Sequence, residues 1–82
     1  MLIKAKKLIG LAVRTRSGAP LGRLIDLEID AESGRIEQYI VSRGLLTDIL
    51  LISGSQIVEI TPDAVVVEDN FATDQGVAEM LA

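Results

Sequence analysis

Neither cysteine, histidine nor tryptophan occurs in this 82-residue chain. Without cysteine there are no disulfides, thiolate metal sites or cysteine nucleophiles, and without histidine the usual general base near neutral pH is missing. Any catalysis would have to run on carboxylates, so the expectation is a non-enzymatic protein with no cofactor. The aromatics number two, Tyr39 and Phe71, too few for a platform on which unpaired bases stack. No window approaches the ~20 apolar residues needed to cross a bilayer. The apolar run 8–13 that follows Lys4, Lys6 and Lys7 is too short for an export signal and meets Arg14 with no cleavage-like stretch behind it. The expectation is a cytoplasmic protein that does not insert into a membrane.

Bases are missing from the second half. All eight Lys and Arg lie in residues 1–43 with five acids, a local balance of +3, whereas residues 44–82 hold seven acids and no base, a balance of -7. Charge governs solubility and encounter more than fold. A chain divided in this way can also meet a second copy, or another partner, basic side to acidic side.

What the chain does have is short alternating runs separated by turn residues. In residues 25–30, Ile25, Leu27 and Ile29 alternate with Asp26, Glu28 and Asp30, the period of a strand with one dry face. Ala31-Glu32-Ser33-Gly34 then turns the chain into the β-rich run 36–41, so the two runs are expected to pair as a hairpin. Tyr39, Ile40 and Val41 are successive, which implies that both faces of that strand are partly covered. Further strands are expected at 11–16, with Leu11 and Val13 inward and Arg14 and Arg16 outward, and at 49–52, 56–60 and 64–68. Turns at 17–22, 53–55 and 61–63 separate them. Thr73 is expected to cap a short terminal helix or tail with Val77, Met80 and Leu81 on one face, although Gly76 weakens it. The fold class is therefore all-β, a small six-stranded antiparallel β-barrel. It is a single domain over 1–82, with the barrel at about 8–69 and the tail at 70–82.

Leu8-Ile9-Gly10, Val13, Gly18, Leu21-Gly22-Arg23-Leu24, Asp26-Leu27-Glu28-Ile29-Asp30, Ser33-Gly34-Arg35-Ile36, residues 55–60 and Asp63-Ala64-Val65-Val66-Val67 together resemble the PRC-barrel family. That family includes the cytoplasmic barrel of the photosynthetic reaction centre H subunit, and a related domain ends a ribosome maturation factor. The resemblance covers residues 5–69 and rests on fold-forming residues. It departs from the family where a proline usually precedes the fifth strand, since Ser53-Gly54 stands there. For a free-standing, single-domain member the resemblance implies a binding or assembly role. An accessory role in RNA or ribosome processing is the alternative. A photosynthetic role ranks third, because no membrane helix precedes the barrel.

The candidate sites follow. Asp26, Glu28 and Asp30, about 7 Å apart at alternate positions, offer carboxylates for acid–base work or a Ca²⁺ or Mg²⁺ contact. A solvated sheet face explains the alternation completely, so no catalytic, metal or cofactor residue is assigned. Gly18, Gly22 and Gly34 lack the lysine and the strand-to-helix context of a phosphate loop and are turn glycines. Leu45, Leu46, Ile49 and Leu50, with Phe71, Met80 and Leu81, exceed what the core of so small a barrel needs. They either seal the ends of the barrel or form the candidate protein interface, a twofold homodimer contact or a dock for a larger partner, with Arg43 and Asp48 as its rim. Lys4, Lys6, Lys7, Arg14 and Arg16, with Arg23, form the candidate basic patch, through which RNA or ribonucleoprotein is a less favoured partner than protein.

Overall fold

The computed structural model describes residues 1–44, 48–73 and 76–79, with side chains described through residue 70 outside the gap at 45–47. The chain opens with one helical turn, α1 (Ala5–Leu8), where a looser turn was expected. The Lys7 N–H donates to the Lys4 carbonyl at 2.8 Å, and Leu8 points into the core. Six strands follow: β1 (Ala12–Thr15), β2 (Pro20–Ile29), β3 (Ile36–Ser42), β4 (Ile49–Ser53), β5 (Ile57–Ile60) and β6 (Ala64–Val67). A single 3-10 turn, Gly54–Gln56, joins β4 to β5, and the Ser53 hydroxyl accepts from the Ser55 N–H at its start. That turn begins at Ser53-Gly54, where no proline precedes the fifth strand.

The strands lie in one sheet in the order β4-β3-β2-β1-β6-β5. The structure corrects the expected topology on two counts. The sheet is mixed, because β1 and β6 pair in parallel, Ala12 beside Ala64 through Thr15 beside Val67. Parallel neighbours need a long connection, and here β2 to β5 together supply it. Nor is the barrel closed: among the described residues β4 and β5 are the two edges of the sheet. The expected terminal helix is replaced by a second hairpin, β7 (Asn70–Thr73) and β8 (Gly76–Glu79), whose first strand lies against β4. Gly76 and the β-branched Thr73 and Val77 are poor helix formers. Met80 and Leu81 lie outside the described residues.

Register sets the core. Across β2, β3 and β4 the rows Leu24–Val41–Leu50 and Leu27–Tyr39–Ile52 stack side by side. With Leu8, Val13, Leu21, Val65 and Val67 they make one apolar cluster. The dry face of β2 is the one its alternation implies, with Leu27 inward and Asp26 and Glu28 outward, except at Ile25. Ile25 falls between Leu24, opposite Val41, and Asp26, opposite Ile40, so it is the extra residue of a bulge. The bulge lets Leu24 turn fully inward while Ile25 is 43% exposed; Ile29, opposite Ile36 at the turn end of the β2–β3 ladder, is 59% exposed. The expected orientation of β1 holds, with Val13 buried and Arg14 and Arg16 exposed, and in β3 Ile40 is half-buried between buried Tyr39 and Val41.

Thr15, the one buried polar residue of the described core, organises the β1–β2 turn: its hydroxyl accepts from the Ala19 N–H at 3.0 Å. No described helix is long and apolar enough to cross a membrane.

Candidate protein interface on the outer face of the sheet

Residues directly opposite one another in a ladder share a face. The row Ala12–Arg23–Ser42–Ile49 crosses β1, β2, β3 and β4, and the rows Asp26–Ile40–Leu51 and Glu28–Gln38–Ser53 run beside it across β2, β3 and β4. These rows point away from the core. On β2 they are charged and exposed; on β3 and β4 Ile40, Ile49 and Leu51 are half-buried. The outer face thus carries an aliphatic strip beside a charged one, and the bulged Ile25 is added to its exposed apolar surface.

At one end lies a groove of about 440 Å³ lined by Gly22, Arg23, Ile25, Ser42, Arg43 and Gly44. Gly22 is obligatory here, because its φ of 141° lies in the glycine region and a Cβ would run into the Ser42 carbonyl oxygen. The two backbones therefore approach closely, which brings Arg23 and Arg43 to the same groove. One Arg23 Nη donates to the Gly10 carbonyl at 2.9 Å, which anchors that side chain. Both arginines are exposed, and among the described residues neither has a carboxylate within ion-pair distance.

The residues expected to form sites are distributed as follows. Leu50 belongs to the core and offers no surface, while Ile49, its neighbour, lies on the outer face. Leu45 and Leu46 lie outside the described residues, as does the side chain of Phe71. In the basic set, Arg14 shares the outer face with Arg23. Arg16 is paired instead, its guanidinium 3.5 Å from Glu68. Lys4, Lys6 and Lys7 are exposed around α1, and Lys7 lines a separate hollow with Met1, Leu2, Ile3 and Pro62. Arg43, expected as the rim of a leucine patch, stands with Arg23; the Arg23–Ser42 pairing of the hairpin was the signal that would have placed it there. Asp26 and Asp30 hold backbone, Asp26 accepting from the Leu27 N–H at 2.8 Å and Asp30 from the Glu32 N–H at 2.9 Å. Asp69 does the same at longer range. The Ser17 N–H and then its hydroxyl hold the Asp69 carboxyl below the usual value. Burial pushes the Tyr39 phenol up.

Residues 1–74 match the family model of the PRC-barrel domain. The chain belongs to the PRC-barrel domain family. No curated protein matches it. The match spans α1 and all six strands of the main sheet, so what this PRC-barrel chain shares with its family includes the framework that carries the outer face. The departure at Ser53-Gly54 is accommodated by the 3-10 turn. Gly54 fits there because a Cβ would strike the Ile36 carbonyl oxygen.

Proposed function

We propose that this PRC-barrel chain is a non-enzymatic module that acts by binding protein and associates with itself. The observation that carries this reading is the outer face of β2, β3 and β4, where Ile25 is 43% exposed and Ile40, Ile49 and Leu51 are only half covered. Aliphatic side chains grouped on one face of a small domain and bordered by charge are the usual composition of a contact surface. The carboxylates on that face serve as strand and turn caps or stand in solvent, which is why no reaction is assigned to them. Light scattering of the purified protein over a ~100-fold concentration range tests the reading. A species of twice the 8.8 kDa chain mass is the expected result, and a strict monomer that captures no protein partner would overturn it.

RNA binding is the second reading, favoured by the exposed Lys4, Lys6 and Lys7. Tyr39 weighs against it, since its ring is in the core and offers no stacking surface. Retention on RNA at ~150 mM salt that falls steeply as salt rises would favour it.

A further inference from the structure

We infer that a second copy of this chain docks twofold on the outer face of β2 and β3, Arg23 and Arg43 of each copy against Asp26 and Glu28 of the other, with Ile25 at the axis. This rests on the self-association proposed above and names its geometry. The face is electrically polar along one strand. Arg23, with Arg43 beside it, stands at the start of the β2–β3 ladder, and Asp26 and Glu28 stand further along the same face toward the hairpin turn. Arg23 and Glu28 are five positions apart, on the order of 15 Å at the rise of a strand. The exposed Ile25 lies between them. A twofold axis near Ile25 exchanges the two ends, so the basic end of one copy meets the acidic end of the other twice over.

A contact in which residue i meets j and j meets i is the form that closes as a dimer rather than growing as a filament. The arginines are free for this role, because neither is neutralised within its own chain among the described residues. The Arg23 Nη bond to Gly10 anchors its guanidinium in advance, which lowers the ordering cost of the contact. The charges supply register, and the aliphatic strip, Ile40 with Ile25, supplies the apolar contact.

The test uses two double reversals in the full chain, Arg23→Glu with Arg43→Glu, and Asp26→Arg with Glu28→Arg. Mass is read by light scattering and sedimentation, and circular dichroism confirms the β fold. Each variant alone is expected to weaken the dimer at least about tenfold, because like charges then face each other at both contacts. An equimolar mixture of the two is expected to restore a species of dimer mass, since every facing pair is again opposite in sign; that recovery also shows that both variants are folded. A wild-type chain that is monomeric at every concentration overturns self-association itself. A wild-type dimer that survives both reversals overturns this face while leaving self-association standing. Two monomeric variants that fail to recombine overturn the pairing.

Discussion

Ser17 and Asp69, 52 positions apart in the chain, are joined by two hydrogen bonds to a single oxygen: the Ser17 N–H donates to Asp69 Oδ1 at 3.0 Å and the Ser17 hydroxyl at 2.8 Å. The Ser17 hydroxyl also lies 3.2 Å from that of Thr15, which holds the β1–β2 turn. The segment leaving β6 is thereby tied to the turn beside it, next to the Arg16–Glu68 pair.

The tie is expected to be pH-dependent. Hydrogen bonds from Ser17 favour the charged carboxylate and lower the Asp69 pKa from its ordinary 3.8. A group whose folded pKa is depressed stabilises the fold fully above its unfolded value, and that contribution is lost as pH falls through the folded value. Asp69→Asn, which keeps an acceptor but has no charge to titrate, should therefore have a slightly lower Tm than wild type at pH 7, with the gap closing at a pH well below 3.8. Thermal melts at both pH values decide it; an equal gap at both would mean that the carboxylate charge is not what Ser17 holds.

Gly22→Ala should be among the most damaging single-methyl additions available. It combines a φ of 141° with a Cβ that the Ser42 carbonyl does not admit, so a cost of at least about 2–3 kcal/mol is expected from strain and displaced backbone. Gly34 in the β2–β3 turn is the control. Its φ is 77° but a Cβ there meets nothing within 4 Å, so Gly34→Ala should cost only about 1–2 kcal/mol. Urea denaturation of the pair measures the difference, and equal losses would show that β2 and β3 are not so close at Gly22.

The β2 bulge separates two neighbours of similar chemistry. Leu24 is wholly buried and Ile25 is 43% exposed. Leu24→Ala should therefore destabilise by about 2–5 kcal/mol, whereas Ile25→Ala should cost about 0.5 kcal/mol or less in the monomer. The reverse order would restore the simple alternation and place Ile25 in the core.

That pair also marks where the sequence ceases to be readable. Six strands, the Ala31-Glu32-Ser33-Gly34 turn and the inward Val13 follow from local pattern, because alternation and turn chemistry act over a few residues. The bulges at Leu24/Asp26 and Val13/Arg14 are different: each depends on how two strands fit together, and the extra residue Ile25 lets Leu24 and Leu27, three positions apart, share the inner face. Asp26 and Glu28 stand on the solvated face that their alternation implies, yet of the apolar half of the pattern only Leu27 packs against the core, while Ile25 and Ile29 are exposed. The β1–β6 pairing joins segments 52 positions apart, beyond the reach of any local signal. The site was half legible. Arg23 and Arg43 meet through the hairpin already visible in the sequence, whereas Leu50 looked available only because its inward row, Leu24–Val41–Leu50, had not been fixed.

Tyr39 gives a direct optical test of the core row it occupies. It is the chain's one tyrosine, and no tryptophan obscures its absorbance. It stacks between Leu27 and Ile52 and is 6% exposed. Withdrawal from water disfavours the phenolate and raises the pKa above the ordinary 10.0. A raised pKa means that the folded chain holds this proton where the unfolded chain has released it. The stabilisation is therefore complete below about pH 10 and is lost as pH rises through the folded value. Absorbance titration of the native protein should lag behind the same titration in ~6 M urea. Lysines ionise in the same range, so the stability comparison is made against Tyr39→Phe, which should lose less stability than wild type as the pH rises above 10.0. Coincident titration curves in buffer and urea would show that the phenol reaches water, and the Leu27–Tyr39–Ile52 row would then not be an inner row of the sheet.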